Sequence, residues 1–159
     1  MSTPARKVPR EQRQRMRSAA RLYAVQALYQ LEMTGRTVGE VRREFETFRF
    51  GETVDEAEME EGDVDLFRAL LEGAVKEQSR IDQMTDRALV EKWPLGRIDT
   101  TLRAIFRAGG AELLTDTPPK VVIVEFVRVA QAFFPEGREG GFVNAVLDHM
   151  AREAHPDAF

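Results

Sequence analysis

Pro118-Pro119-Lys120-Val121-Val122-Ile123-Val124-Glu125-Phe126-Val127-Arg128-Val129-Ala130-Gln131-Ala132-Phe133-Phe134 is the stretch on which the fold turns. Its run of four β-branched residues, Val121 to Val124, has the composition of a strand. Three observations favour a helix over 120–134 instead. A proline pair directly before it suits the first helical turn, where the missing N–H has no intrahelical partner in any case. The set Ile123, Phe126, Val127, Ala130, Phe133 and Phe134 follows helical spacing. No second stretch of the chain reads as a partner strand, and a lone strand has nothing to pair with.

With that stretch helical, the rest of the chain reads the same way. Downstream, Pro135, Gly137, Gly140 and Gly141 mark a loop, followed by a last helix from Phe142 to Glu153. Upstream, a helix from about Asp99 to Leu114 buries Leu102, Ile105, Phe106 and Leu113. Gly109-Gly110 inside it costs about 1 kcal/mol per glycine relative to alanine, so the pair is expected to permit a close helix contact. Asp63 can cap a long helix carrying Leu66, Phe67, Leu70, Leu71, Ala74, Val75, Ile81, Met84 and Leu89, bent or broken near Ser79 and stopped by Trp93-Pro94. From Glu52 to Asp63 there are seven acids and no base, a solvated loop without the ligand spacing of a calcium site. Thr37 and Glu40 form a capping box for a helix on Val38, Val41, Phe45 and Phe48, and Gly35 ends the helix before it. That first helix covers residues 10–33 and is apolar nearly all round from Ala19, the mark of a buried helix.

The architecture expected is therefore all-α: about seven helices forming two small three-helix-type bundles, divided near residue 80 (about 13–80 and 81–154). A basic, flexible arm (1–12) precedes them and a short tail (155–159) follows. The 159 residues, 43% of them apolar, suffice for one core. No apolar run approaches the ~20 residues that cross a bilayer, and the N-terminus lacks the apolar segment of a secretory signal. Zero cysteines exclude thiolate metal sites, disulfides and cysteine nucleophiles, and suit a reducing cytoplasm. His149 and His155 are too few for a histidine metal site or triad. No phosphate-cradling glycine loop or nucleophile elbow is present. The expectation is a cytoplasmic protein with no catalysis and no cofactor.

Charge points to the partner. Residues 1–21 hold seven cations (Arg6, Lys7, Arg10, Arg13, Arg15, Arg17 and Arg21) against Glu11 alone, net +6, on a chain whose formal charge is −4. Arg10, Arg13, Arg17 and Arg21 step by 3, 4 and 4, so a helix stacks them on one stripe. Cations at a helix N-terminus oppose its dipole, and like charges at i,i+4 cost about 0.2–0.5 kcal/mol per pair. A stripe that opposes folding is best explained by an anionic partner, and a nucleic-acid backbone fits. Other positions stay open on spacing alone. Tyr29, two turns past Arg21, is either a base-stacking ring or a core tyrosine. Tyr23 reads as core, Lys120 as a solvated lysine at a helix start, and Phe142, with Asn144 two residues on, as a staple against the core.

Four segments together resemble one family. Arg17-Ser18-Ala19-Ala20-Arg21-Leu22-Tyr23-Ala24-Val25-Gln26-Ala27-Leu28-Tyr29 is similar to the opening helix of the bacterial transcription antitermination factors of the NusB family. Leu102-Arg103-Ala104-Ile105, continuing to Ala111-Glu112-Leu113-Leu114, is similar to a central helix. Pro119-Lys120-Val121 and Phe142-Val143-Asn144-Ala145-Val146-Leu147-Asp148 resemble its last two helix starts. The likeness spans about residues 13–151, with departures at Gly109-Gly110, Val124, Phe126, Arg138-Glu139 and Ala145. It implies an all-helical adaptor that binds boxA-type single-stranded RNA of rRNA leaders together with NusE, a small-subunit ribosomal protein, within an RNA polymerase antitermination complex. Homodimers that mask an RNA surface are conceivable for such a family. The resemblance carries RNA contact onto Arg13, Arg17, Arg21, Tyr29, Lys120, Phe142 and Asn144, and Arg10 joins them through the stripe. Two other readings remain: the NusB-like module of an rRNA cytosine methyltransferase, which requires a nucleotide-binding domain beyond residue 159, and a helical scaffold that binds only protein.

Overall fold

A computed structural model describes residues 9–49, 63–89 and 98–159. Among them are seven α-helices and no strand: α1 (Arg10–Thr34), α2 (Val38–Arg49), α3 (Val64–Lys76), α4 (Gln78–Leu89), α5 (Thr100–Leu113), α6 (Pro119–Phe133) and α7 (Glu139–Ala154). A 3-10 turn, Pro156–Ala158, follows α7. The expected acidic loop 52–62 and the Trp93-Pro94 stop, like Arg6 and Lys7, lie outside the described residues.

The decisive stretch is helical. Pro118 caps α6, Pro119 opens it, and the Val122 N–H reaches back to the Pro118 carbonyl at 3.2 Å. Val122, Ile123, Phe126, Val129 and Ala130 are buried while Lys120, Val121, Val124 and Arg128 face solvent, so the β-branched run is divided between two helix faces. Side-chain caps fix the other starts. The Thr37 hydroxyl accepts the Glu40 N–H at 3.2 Å, Asp63 accepts that of Leu66 at 3.0 Å, and Asp99 accepts those of Thr101 and Leu102 at 2.7 and 3.1 Å. Such caps satisfy N–H groups that the helix itself leaves unpaired. Gly35 ends α1 at φ +68°, a left-handed conformation that a Cβ would penalise.

Four expectations change in detail. The break falls at Glu77, two residues before Ser79. Helix α7 begins at Glu139 rather than Phe142, taking in Gly140 and Gly141. Gly140 lies against Gln131 and Val127 of α6, a close approach that spacing could not show. Residues 10–12 are the first turn of α1 rather than part of a flexible arm. On α2, Val41 and Phe45 are buried, the latter stacked on Phe67 of α3 with ring centroids 5.8 Å apart, but Phe48 is 58% exposed.

Helix α5 is the axis of the fold, with Leu102, Ala104, Ile105, Phe106 and everything from Ala108 to Leu113 buried. Its glycine pair admits neighbours closely. A Cβ on Gly110 would lie 2.5 Å from Ile81 Cγ2 of α4, and one on Gly109 would lie 3.1 Å from Leu147 Cδ2 of α7. Arg107 reaches both sides, paired with Asp82 of α4 at 3.0 Å and Glu32 of α1 at 3.1 Å. Burial disfavours its charge, but these carboxylates outweigh that and raise its pKa. One continuous apolar core joins α1–α3 to α4–α7 through α5.

Candidate nucleic-acid interface

The buried face of α1 (Ala20, Tyr23, Ala24, Ala27, Leu28) seats the C-terminal two thirds of that helix on the core. Its first turns, Arg10 to Arg15, are exposed. Helix α6 lies beside α1 in the same direction, with Ser18 next to Glu125 and, further along, Tyr29 sharing a cleft with Phe133. The N-terminal halves of the two helices thus stand at one end of the molecule with an open groove between them. The groove encloses about 1420 Å³, more than the roughly 300–1,000 Å³ of an ordinary small-molecule site. Arg15, Arg17 and Arg21 from α1 and Lys120 and Arg128 from α6 line it, against three carboxylates, Glu11, Asp116 and Glu125.

The expected stripe is divided by the fold. Arg10, Arg13 and Arg17 border a smaller depression with Met16 and Asp63, adjoining the groove through Gln14 and Arg17. Arg17 is 3.8 Å from Asp63 with 41% of its side chain exposed, a loose pair worth about 0–1 kcal/mol that leaves its charge accessible. The Asp63 N–H also donates to the Met16 carbonyl at 2.9 Å, so the start of α3 braces this part of α1.

Arg21 departs from the rest of the stripe. It is 2% exposed, and its Nε and Nη2 donate to Glu112 at 2.7 and 2.8 Å, with Glu125 at 3.7 Å. Glu112, on the core face of α5, is fully buried. A guanidinium clamped in this geometry ties α1 to α5 beneath the groove and does not present itself to a ligand. The stripe spacing placed it correctly on the helix, but the face from Ala20 onward turns inward.

Lys120 is exposed at the mouth of the groove, across from Arg15 and Arg17. Tyr29 is 39% exposed and lines a separate, smaller cleft with Gln26, Phe45, Thr101 and Phe133, about 18 Å along α1 from Arg17 at 1.5 Å per residue. Phe142 is half-buried, edge-to-face with Phe106 at 5.8 Å, so the staple reading of its position describes its packing. Asn144 is exposed on α7. Neither Phe142 nor Asn144 lines the groove or the Tyr29 cleft. Tyr23 is core, as expected.

Arg128, Arg15, Ser18 and Glu125 were not singled out from the sequence. A signal for the first exists: Lys120, Val124 and Arg128 recur every fourth residue and share one exposed face of α6. Arg15 lies off the stripe, on the side that α6 approaches. Among the described residues no group of histidine and acidic side chains could hold a metal ion, and no helix is long and apolar enough to cross a membrane.

Known proteins share both sequence and shape with this chain. The family described as NusB matches residues 18–152. The transcription antitermination protein NusB of Maricaulis maris (strain MCS10) is 48% identical over 161 aligned residues, covering 100% of each chain. That of Brucella anthropi is 50% identical over 137 residues, 85% of this chain and 81% of the relative. A chain in a crystal structure of antitermination factors NusB and NusE in complex with dsRNA superposes with a TM-score of 0.71 at 26% identity, covering 87% of this chain and 98% of that one. T. maritima NusB gives 0.67 at 29% identity, covering 96% and 94%.

Proposed function

We propose a function from one premise: the chain belongs to the NusB family. It acts as an RNA-binding transcription antitermination factor that holds boxA-type single-stranded RNA of rRNA leaders together with NusE, as part of an RNA polymerase antitermination complex in the cytoplasm, and performs no catalysis. The observation that carries this reading is the groove between α1 and α6. Lys120 stands in the first turn of α6, where the helix dipole disfavours a cation, and Arg15 and Arg17 of α1 and Arg128 of α6 line the same groove, an arrangement that serves a partner rather than the fold. The groove is open, as a polymer requires.

Within this reading Arg10, Arg13, Arg17 and Lys120 bind phosphate, with Arg15 and Arg128 on the same walls. Tyr29 offers a ring for base stacking beyond them. Asn144 and the exposed edge of Phe142 extend the surface onto α7, while Arg21 supports it from below. A relative's complex with NusE and dsRNA supports both classes of partner.

The test is a titration of labelled single-stranded RNA carrying a boxA-type sequence, and of a scrambled control, with and without NusE. Tighter binding of the boxA-type strand in the presence of NusE is expected; equal affinity for both would sink the specific claim. Arg13→Ala, Arg17→Ala and Lys120→Ala combined should weaken RNA binding. A scaffold that binds only protein would instead lose partner affinity and leave RNA binding unchanged.

A further inference from the structure

Three groups in the groove are of the wrong charge for a phosphate channel, and Glu125 is the one that both helices hold in place. Glu125, on the α6 wall, keeps 17% of its side chain exposed to the groove. Its Oε2 accepts the Ser18 hydroxyl of α1 at 3.0 Å and lies 3.7 Å from Arg21 Nη1. Its Oε1 is 3.6 Å from Arg128, whose side chain is 67% exposed. Neutralising Arg21 does not require this carboxylate, because Glu112 already takes two of its donors at 2.7 and 2.8 Å. Beyond Arg21, which Glu112 already takes, Glu125 has only the loose and exposed Arg128 at 3.6 Å to balance it, so its charge is the least compensated of the cluster, and it lines the groove. A carboxylate there repels the backbone of a polyanion. What it attracts is a hydrogen-bond donor; RNA offers the single donor of a ribose 2′-hydroxyl and the donors of base edges, and only a base edge sets two donors side by side for the two oxygens of a carboxylate.

We infer that Glu125 is a specificity-determining residue that reads an unpaired guanine, accepting N1–H and N2–H from its Watson–Crick edge while the cations on the walls take the flanking phosphates. This rests on the RNA-binding reading above and deepens it. Guanine is the base with two adjacent donors on that edge, matching the two oxygens of a carboxylate, each of which has a lone pair left here. Ser18 and Arg21 hold the carboxylate in one orientation, which favours a fixed recognition geometry. A side chain free to swing away would discriminate poorly. Unpaired RNA is read on this edge, since the base is not engaged in pairing.

The experiment uses the full chain with NusE and a boxA-type oligonucleotide in which each guanosine is replaced in turn by inosine, which lacks the N2 amino group. For the wild type, one replacement should weaken binding by about 10- to 150-fold, the loss of one hydrogen bond to a charged acceptor. Glu125→Gln, which keeps the side-chain volume and an acceptor for Ser18, should bring the guanosine-to-inosine ratio at that position close to one. Should that variant fail to fold, Ser18→Ala, which releases the carboxylate from its fixed orientation, should lower the same ratio. The inference is overturned if no inosine replacement weakens the wild type, if the folded variant keeps the full ratio, or if it loses affinity equally for both strands, as a purely structural role would require. If the wild type does not distinguish boxA-type from scrambled RNA, the adaptor reading fails and takes this one with it. If it does distinguish them without an inosine effect linked to Glu125, only the guanine assignment fails.

Discussion

Arg21 and Arg17 lie four residues apart on one helix, and the sequence treats them alike; burial separates them. Removing one member of a buried ion pair leaves an uncompensated charge in the core, so Arg21→Ala is expected to cost about 3–5 kcal/mol in urea unfolding, whereas Arg21→Met with Glu112→Leu should recover most of that loss. Arg17→Ala, half-exposed and loosely paired to Asp63, should change stability by less than about 1 kcal/mol. Similar stability for the two single variants would show that Arg21 is not clamped as described. Which arginine turns inward is set by α5, whose buried Glu112 lies 91 residues away in sequence, and no local pattern encodes that pairing. Tyr23 and Tyr29 were separable in part, because Tyr23 sits on the apolar stripe of α1. The exposure of Tyr29 depends on how closely α2, α5 and α6 approach it.

At the scale of helices, periodicity and capping chemistry carried most of the information. The start of α3 at Asp63, the start of α5 at Asp99 and the end of α1 at Gly35 follow from residue types alone. The start of α7 was missed because Gly140 and Gly141 read locally as a loop, while contact with Gln131 and Val127 draws the first of them into the helix. The Gly109-Gly110 pair was legible as a close contact, though not which residue it admits. Gly110→Ala should destabilise the protein by about 1–3 kcal/mol despite the helix preference of alanine, since its methyl meets Ile81 Cγ2, held by a stiff β-branched side chain. Gly109→Ala meets the tip of a leucine and should be nearly neutral, and thermal melts of the two variants test the contrast. Helices α2 and α3 are also joined electrostatically. The hydrogen bond from Arg68 holds Glu46 below the usual carboxylate range. A depressed folded pKa stabilises above the unfolded value of about 4.3 and loses that contribution as pH falls through the folded one. Arg68→Ala should therefore lower Tm at pH 7 by at most about 2–4 °C, with the difference from wild type closing as the solution is acidified below pH 4.

For the whole molecule, the sequence supplied an all-helical chain with a basic N-terminus, and the fold turned that into a surface. The groove exists because α6 returns beside α1 in the same direction, bringing Lys120 and Arg128 opposite Arg15 and Arg17. Composition pointed to the partner class, but the second wall of the site, and the carboxylate within it, depend on packing between helices about a hundred residues apart. The central claim is that these cations bind RNA phosphates, and salt dependence tests it most directly. The measurement is the slope of log Kobs against log salt concentration for single-stranded boxA-type RNA with NusE present, compared between wild type and Lys120→Ala. The wild type should show a clearly negative slope, and loss of one phosphate contact should make it shallower by about 0.7. A slope unchanged by Lys120→Ala, or a wild-type affinity indifferent to salt, would contradict the claim.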